Sequence, residues 1–459
     1  MTQLDLLPLA AVLVLAVVLL LARWPVAVSL GTYAFLLPFD SVLILAQAGR
    51  FHLHLTWFLG AAAAGIMLSA ELLGRRFVRP PRTALWLSLI VFWAAMSSLW
   101  AINTEASLFR LPLLGLLLLL YLAAVSTRAS EIELDTIAWL AVLGGCCAAA
   151  VSLYGYSHGE WWAGRETLSV GERGTNPNTL GATLILPLSL AVGLVLSSRT
   201  WLRRLLLMGL VAVIGASIFA TMSRGTLVAT AVVFLFYLWQ SRVRWRVLVP
   251  ITVLGVIVLA APQVFFLRLG QAFADRGSGR LDVWEVGLQA LRHYAILGAG
   301  LDCFPDAFSE YVRTAPNFVG FDRAPHNIYL GTWVELGVVG LILLLSTIRG
   351  HLLLAAKACR AASDESSRLR LISYEAACLG LLASGFFLDI LWEEYFWLTL
   401  MLLVMAVRAR QASGKTVYLR SLPRRYPFRV ATPLNANTQL VESPLGRVSS
   451  PEVSRSNLR

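Results

Sequence analysis

Long apolar runs separated by short polar stretches set the pattern of this sequence. A helix needs about 20 apolar residues to cross the hydrocarbon core of a bilayer. Thirteen runs approach that length, at 4–22, 25–46, 55–73, 83–101, 108–126, 136–156, 179–198, 202–222, 225–241, 247–267, 327–348, 371–391 and 393–408. The second is interrupted by Pro38 and Asp40, and the last is short. The pattern predicts an all-α polytopic membrane protein with about 12 transmembrane helices.

Composition supports this fold class. Hydrophobic residues make up 58% of the chain and charged residues only 14%, which excludes a soluble globular protein. The first run has no basic segment before it and no small-residue cleavage pattern after it, so we expect a retained span rather than a signal peptide. The five cysteines have no metal-like spacing and are interpreted as packing residues of the spans.

The net charge of +12 is distributed as in a membrane protein, and nucleic acid is not an expected partner. Arginine-rich loops alternate along the chain so that they share one side, which the positive-inside rule makes the cytoplasm. These loops are 75–82, 199–204, 242–246 and 349–370. The loop 127–135, with Arg128 against three carboxylates, fits the alternation poorly.

The same alternation places four polar segments on the outer side: 102–107, 157–178, 223–225 and the long loop 268–326. We therefore expect three parts of the chain. Residues 1–135 form N-terminal transmembrane helices, and residues 136–408 form a transmembrane core that contains the periplasmic loop 268–326. Residues 409–459, rich in Ser, Pro and Arg, are predicted to be a disordered cytoplasmic tail, with anionic membrane lipids as its partner.

Three arginines and one histidine lie near the predicted outer boundary of the membrane: Arg173, Arg224, Arg280 and His326. An arginine at such a boundary is costly unless it reaches water or meets an anion. Its planar guanidinium binds phosphate through two parallel hydrogen bonds. The group therefore predicts a site for a diphosphate.

Two of these arginines also have a structural interpretation. Arg173 precedes the segment Asn176-Pro177-Asn178, whose turn and helix-capping residues are typical of a solvated loop before a helix. Arg224 lies in a turn of a few residues between two apolar runs, where it could be an interfacial anchor.

Arg280 begins a predicted helix that lies on or near the outer interface. The apolar face of that helix consists of Leu281, Trp284, Leu288, Leu291 and Ala295, with Asp282 and Glu285 off it. A cation at a helix N-terminus opposes the helix dipole, whereas an anion bound there is stabilised by both the arginine and the free amides. This position favours a functional role for Arg280.

His326 follows a proline and begins a span, with Asn327 beside it. A lone histidine more often has a structural role, but an imidazole with a pKa near 6.5 can accept a proton from a hydroxyl near neutral pH. The loop residues Asp302, Asp306 and Asp322 lack metal-coordinating spacing. We expect them to be solvated carboxylates, and we predict no metal site.

At these residues the sequence resembles the O-antigen ligase and polymerase superfamily of bacterial membrane glycosyltransferases. The shared motifs are Asn176-Pro177-Asn178, Ser223-Arg224-Gly225, Gly279-Arg280 followed by Trp284, Gly298-Ala299-Gly300, and His326-Asn327 with Glu335 and Gly337 downstream. Each motif is short, and their order, spacing and shared side carry the resemblance.

The resemblance implies a GT-C-like helical fold in the bacterial inner membrane, with a periplasmic active site and neither a cofactor nor a metal. It implies a glycan on undecaprenyl diphosphate as donor and lipid A-core as acceptor. Arg224, Arg280 and His326 match catalytic positions of the superfamily. Arg173, Asn178 and Asn327 are assigned by the same resemblance to binding of the diphosphate and glycan.

The motifs concern the donor and leave the acceptor open. Lipid A-core would make the protein a ligase, another lipid-linked glycan a polymerase, and a protein Ser or Thr an O-oligosaccharyltransferase. The single outer loop favours the ligase. A non-enzymatic alternative is an inorganic-carbon transporter, which should carry ionisable residues at mid-span. Asp40, Glu375 and Asp389 are few candidates for that role.

Overall fold

The computed structural model describes residues 24–48, 51–74, 77–162, 164–170, 173–242, 244–259, 279–314, 320–362 and 364–421. The predicted first span, 4–22, lies outside these ranges. So do residues 268–278 and 315–319 of the predicted outer loop and residues 422–459 of the predicted tail.

Helices dominate the described residues. In chain order they are α1 (Pro25–Leu36), α2 (Leu55–Gly74), α3 (Arg82–Ser97), α4 (Thr104–Ser126), α5 (Glu131–Ser157), α6 (Pro177–Thr183), α7 (Ile185–Ser197), α8 (Trp201–Ala220), α9 (Arg224–Gln240), α10 (Arg244–Leu259), α11 (Arg280–Tyr294), α12 (Phe304–Tyr311), α13 (Ile328–Ala361), α14 (Glu365–Ser384) and α15 (Glu394–Ser421). Short 3-10 helices follow α1 (Leu37–Val42) and α12 (Val312–Thr314).

Within the described ranges, strand structure is confined to three two-stranded antiparallel hairpins. They pair β1 (Ile44–Ala48) with β2 (Phe51–His54), β3 (Trp161–Trp162) with β4 (Arg165–Glu166), and β5 (Ser169–Val170) with β6 (Arg173–Gly174). The all-α prediction is confirmed at this level.

Seven helical segments in the described ranges are long and apolar enough to cross a membrane. They are α1 with its 3-10 extension, α2, α4, α5, the pair α6 and α7, α8, and α13. Three shorter apolar helices lie at Arg82–Ser97, Arg224–Gln240 and Trp245–Leu259. The chain is thus a multi-pass membrane protein, and the count of about 12 spans and the single long loop stay predictions.

The predicted span 25–46 is not one helix. Helix α1 ends at Leu36, and the hairpin β1–β2 follows the 3-10 segment. Pro38 has no N–H to continue the ladder. Asp40 is held by side chains at the end of the hairpin and just after it, because its Oδ2 lies 2.9 Å from His54 Nδ1 and it accepts a hydrogen bond from the Thr56 hydroxyl. The polar residue that interrupts the apolar run therefore fixes a turn.

A compact unit comprises Met1–Gly414, and a second unit comprises Lys415–Arg459. Helix α15 continues to Ser421, so residues 409–421 of the predicted disordered tail are helical. The division of the chain into the three predicted parts remains a prediction.

Loops predicted to share the outer side meet at one end of the bundle. This outer end comprises residues 37–48, 51–54, 98–103, 157–162, 164–170, 173–176, 221–223, 279–314, 320–327 and 385–393. Contacts among these residues and the helix ends beside them include Asn103 Nδ2 to Asp306 Oδ1 (3.0 Å), Arg165 Nε to Thr221 O (2.8 Å), Ile328 N to Gly385 O (2.8 Å) and Trp57 Nε1 to Glu394 Oε1 (3.0 Å).

The opposite end explains the loop that fitted the charge alternation poorly. Arg370 Nη2 lies 3.3 Å from Glu131 Oε2, and its Nη1 lies 3.1 Å from Asp135 Oδ2. The two carboxylates neutralise an arginine of the predicted cytoplasmic loop 349–370. The acidic residues of loop 127–135 are therefore compatible with a position on the same side as that loop.

A break in α13 seats the glycine-rich segment 295–300. Gly337 interrupts the helix with φ 67° and ψ −171°, a conformation that favours glycine. The backbone hydrogen bonds across the break are Ala299 N to Val334 O (2.8 Å), Gly300 N to Glu335 O (2.9 Å) and Val338 N to Ala295 O (2.8 Å). A Cβ on Gly337 would lie 2.1 Å from Ile296 O. The Gly298-Ala299-Gly300 motif therefore has a structural role.

Candidate functional site

Arg280 begins α11 at the outer end, directly after a glycine turn. Gly279 has φ 76°, which lets the chain turn into the helix without a Cβ penalty. The Arg280 Cζ lies 5.8 Å from the centre of the Phe387 ring. Burial and then the charge of Arg224 both lower the pKa of Arg280. Among the described residues, no carboxylate forms a salt bridge with it, so an anion would be stabilised here.

Arg224 is the first residue of α9. The Ser223 hydroxyl caps this helix by accepting a hydrogen bond from Thr226 N at 3.4 Å. Gly225 packs tightly on the residue that Arg280 covers, since a Cβ on Gly225 would lie 2.8 Å from Phe387 Cβ. Phe387 thus lies between the N-termini of two helices that each begin with arginine, and this contact brings the two cations together.

His326 is held at this site by its neighbours in sequence. The Trp284 indole of α11 donates a hydrogen bond to Pro325 O (3.1 Å), and Ile328 N donates to Gly385 O (2.8 Å). His326 itself has φ 46°, a left-handed conformation uncommon for a non-glycine residue. Such strain persists only where the surroundings fix it.

The imidazole of His326 is in the uncharged form, which can accept a proton. Burial, followed by the charges of Arg280 and Arg323, lowers its pKa to about 4. At neutral pH the ring is therefore uncharged and keeps one nitrogen lone pair free to act as a base. The structure thus brings Arg280 within electrostatic reach of both Arg224 and His326.

The two predicted asparagines have partners inside the protein. Asn327 Oδ1 accepts hydrogen bonds from Tyr329 N (2.9 Å) and Leu330 N (3.0 Å), which caps α13. Asn178 Oδ1 accepts a hydrogen bond from Arg165 Nη2 (2.7 Å). Both amide oxygens therefore position other groups, and a substrate-binding role for the two residues stays a prediction.

Arg165 is a residue of this region that the sequence did not single out. It lies in β4, and besides Asn178 it contacts the turn before α9 through its bond from Nε to Thr221 O. The signal was an arginine in the same predicted outer loop as Arg173. Arg173 itself lies in β6, where its backbone pairs with Val170, and its side chain lies outside what the structure describes.

A second charged group lies at the outer end around Arg110 of α4. Its Nη2 is 3.4 Å from Asp302 Oδ1. Burial raises the pKa of Asp302, and the charge of Arg110 opposes that rise. The expectation that Asp302 is an ordinary solvated carboxylate is therefore wrong. Asp306 is also engaged, by Asn103, and Asp322 accepts a hydrogen bond from Ser309 (3.3 Å).

The predicted apolar face of α11 is only partly exposed. Leu281 and Leu288 are exposed, whereas Trp284 and Leu291 pack against the apolar cluster that α11 forms with α12 and α13. Asp282, which the spacing placed off the apolar face, is buried. The placement of this helix on the outer interface stays a prediction.

Two comparisons find that this chain is similar to O-antigen ligases. A family model described as O-antigen ligase matches residues 209–345. An O-antigen ligase of Pseudomonas aeruginosa is 27% identical over 276 residues, which cover 58% of this chain and 64% of that relative. The match to this superfamily model contains Arg224, Arg280, His326 and Asn327 and leaves out Arg165, Arg173 and Asn178.

Proposed function

We propose that this protein is an O-antigen ligase-like glycosyltransferase. It moves a glycan from undecaprenyl diphosphate to lipid A-core on the periplasmic face of the bacterial inner membrane. One observation carries the proposal: two half-buried arginines and a neutral histidine meet at the outer end, inside the segment that the family model matches.

In this proposal the arginines hold the leaving group. A diphosphate bound by Arg224 and Arg280 gains negative charge as its bond to the anomeric carbon breaks, and the two guanidinium groups stabilise that charge. A bound anion reduces the repulsion between the two cations. Arg173 is assigned to the same diphosphate, and Asn178 and Asn327 support the site through Arg165 and the start of α13.

His326 acts as the general base. An acceptor hydroxyl attacks the anomeric carbon from the face opposite the diphosphate, and its proton passes to the imidazole. The new bond joins the anomeric carbon to the acceptor oxygen, while the diphosphate leaves with the electron pair of the broken bond. This direct displacement inverts the anomeric centre.

The proposed reaction uses no cofactor or metal. Within the ranges that the structure describes, no group of three or more His, Cys, Asp or Glu side chains could hold a metal ion. We assign the stabilisation of the diphosphate to the arginines, which is testable by adding a chelator to the assay.

The test is transfer in proteoliposomes that contain a glycan on undecaprenyl diphosphate and purified lipid A-core. We expect glycosylated lipid A-core with the wild type and none with His326→Asn, since asparagine tolerates the left-handed backbone of residue 326 but is not a base. The exposed Arg292 of α11 provides a control, and Arg292→Ala should transfer normally.

Other products would overturn the proposal in recognisable ways. Longer lipid-linked glycans would make the protein a polymerase, and glycosylated Ser or Thr of an added protein would make it an O-oligosaccharyltransferase. No donor turnover with any acceptor would favour the inorganic-carbon transporter, for which bicarbonate uptake into the same vesicles is the assay.

A further inference from the structure

A cavity beside the two hairpins of residues 159–176 is not used by the proposed chemistry. Its volume is about 610 Å³, within the ~300–1,000 Å³ of typical small-molecule sites. It is lined by Gly159, Glu160, Trp161, Trp162, Thr167, Ser169, Gly174, Thr175 and Asn176.

Two adjacent tryptophans border this cavity. Trp161 is 54% exposed and Trp162 is 56% exposed, although tryptophan buries more apolar surface than almost any other side chain when it finds a partner. An exposed indole presents a flat apolar face, which matches the C–H face of a pyranose ring. The ring hydroxyls then remain free to form hydrogen bonds at the edge.

The polar lining supplies groups for those hydroxyls. Thr175 is only 4% exposed, and its hydroxyl has no hydrogen-bond partner among the described residues. A buried hydroxyl without a partner destabilises the folded protein unless a ligand or water pairs with it. Glu160 lies at the rim, where its Oε2 accepts a hydrogen bond from the Ser169 hydroxyl at 3.0 Å, and its Oε1 is an additional acceptor.

The cavity is tied to the arginine site by the same hairpin. Trp162 pairs with Arg165 across β3 and β4. Arg165 in turn donates a hydrogen bond to Thr221 O at 2.8 Å, three residues before Arg224. A ring stacked on these tryptophans therefore lies at the end of the bundle where the glycan leaves the proposed diphosphate site.

We propose that this cavity binds a pyranose ring of one of the two glycan substrates, stacked on Trp161 or Trp162 and hydrogen-bonded to Thr175. The inference rests on the proposed function in one respect: that function identifies the glycan from which the sugar ring comes. The same chemistry fits a ring of the donor glycan or of the core oligosaccharide, and the two probes below distinguish these sources.

The test is binding to the purified full-length protein in nanodiscs, measured by calorimetry. The probes are two oligosaccharides without lipid or diphosphate: the O-antigen glycan and the core oligosaccharide, each released from lipopolysaccharide by mild acid. We expect one probe to bind, and we expect the double substitution Trp161→Ala/Trp162→Ala to weaken its affinity at least tenfold. Thr175→Val, which keeps the shape and removes the hydroxyl, should weaken it about threefold or more.

Trp201→Ala is the matched control, because Trp201 is 73% exposed at the start of α8, away from the outer end. It should leave the affinity unchanged. Equal affinity in the wild type and the double variant, or no binding of either probe, would overturn the inference. So would a double variant that binds the sugar normally but loses fluorescence quenching by brominated lipids, because the tryptophans would then be membrane anchors.

The transfer assay separates this inference from the proposed function. Arg280→Ala should lose transfer and keep oligosaccharide binding. The tryptophan double variant should raise KM for a donor with a long glycan and leave kcat nearly unchanged. If the wild type binds the sugar but transfers nothing, the proposed function is wrong and the sugar site still stands. If it transfers normally and the double variant matches it in KM and affinity, only the sugar site fails.

Discussion

The indole nitrogen of Trp284 lies 3.1 Å from the carbonyl oxygen of Pro325. This bond joins α11, which begins with Arg280, to the residue directly before His326. The proposed anion-binding group and the proposed base are therefore positioned by one helix. A change in the placement of α11 would move both together.

Trp284→Phe tests this link. The substitution keeps most of the ring packing and removes the N–H, a loss of about 1 kcal/mol for a typical hydrogen bond. We expect kcat to fall about tenfold because His326 loses its alignment, with little change in KM. Trp333→Phe is the control, since Trp333 makes a bond of equal length, 3.1 Å, to Ala295 O. Equal losses in both variants would contradict a specific role for Trp284.

The pH dependence of transfer follows from His326. Its pKa of about 4 keeps the imidazole neutral down to roughly pH 5. We therefore expect no fall in kcat/KM between pH 8 and pH 6, whereas an ordinary histidine with a pKa near 6.5 would cause one. A bound diphosphate favours the imidazolium, so the acid limb of kcat should lie at higher pH than that of kcat/KM. Monodispersity at each pH is the control. A fall in kcat/KM centred near pH 6.5 would contradict the prediction.

Arg280→Ala should lower kcat/KM by about 10²–10³, the usual effect of removing one charge-stabilising donor, and Arg280→Lys should recover part of it. The Arg280 charge is one cause of the low pKa of His326. The acid limb of the residual activity should therefore move to higher pH in the alanine variant. An unchanged limb together with full loss of activity would show that the two residues do not interact.

Glu166 should make the wild type lose stability as pH rises. Burial raises its pKa from 4.5 to about 8, and the hydrogen bonds that it accepts from the hydroxyls of Ser152 and Ser217 only partly oppose that rise. The unfolded chain releases this proton near pH 4.5 and the folded chain only near pH 8, so folding stability falls across that window. Glu166→Gln should not show this decline. Thermal unfolding at pH 5 and pH 9 measures the difference, and parallel curves would contradict it.

Gly337→Ala should destabilise the protein by roughly 1–3 kcal/mol or more, because the residue needs a left-handed conformation and its Cβ would meet a backbone oxygen. Gly209→Ala in α8 is the control, since nothing lies within 4 Å of the added Cβ. It should be neutral or slightly stabilising. Thermal unfolding followed by detergent-compatible fluorescence compares the two. Similar midpoints would mean that the break in α13 tolerates a side chain.

Periodicity and charge predicted the parts of the fold that follow from local sequence. Apolar runs gave the helices, and the alternation of arginine-rich loops placed the segments of Arg224, Arg280 and His326 on one side, which is why their meeting could be anticipated. The 3-4-3-4 spacing also indicated the apolar face of α11 on which Leu281 and Leu288 are exposed.

Contacts between distant segments could not be predicted in this way. The pair Arg110 and Asp302 joins residues far apart in the chain, and no pattern within either segment indicates the other. The predicted span 25–46 ends early, in a 3-10 segment followed by a hairpin, because Asp40 has partners at His54 and Thr56. Arg165 was missed because only the folded hairpin brings it to Thr221.

The seat of segment 295–300 has a consequence for how the protein is made. Besides the break in α13, this region rests on the earlier helices α3 and α4: Leu301 N donates to Ser97 Oγ (3.0 Å), Ser107 Oγ donates to Leu301 O (2.6 Å), and Trp93 Nε1 donates to Leu336 O (2.8 Å). Those helices leave the ribosome about 200 residues before their partners, and N-terminal parts of a chain generally fold first. When segment 295–300 is synthesised, α3 and α4 are therefore already in place to bind it. Helix α13 then packs against the same segment from the other side once it has inserted.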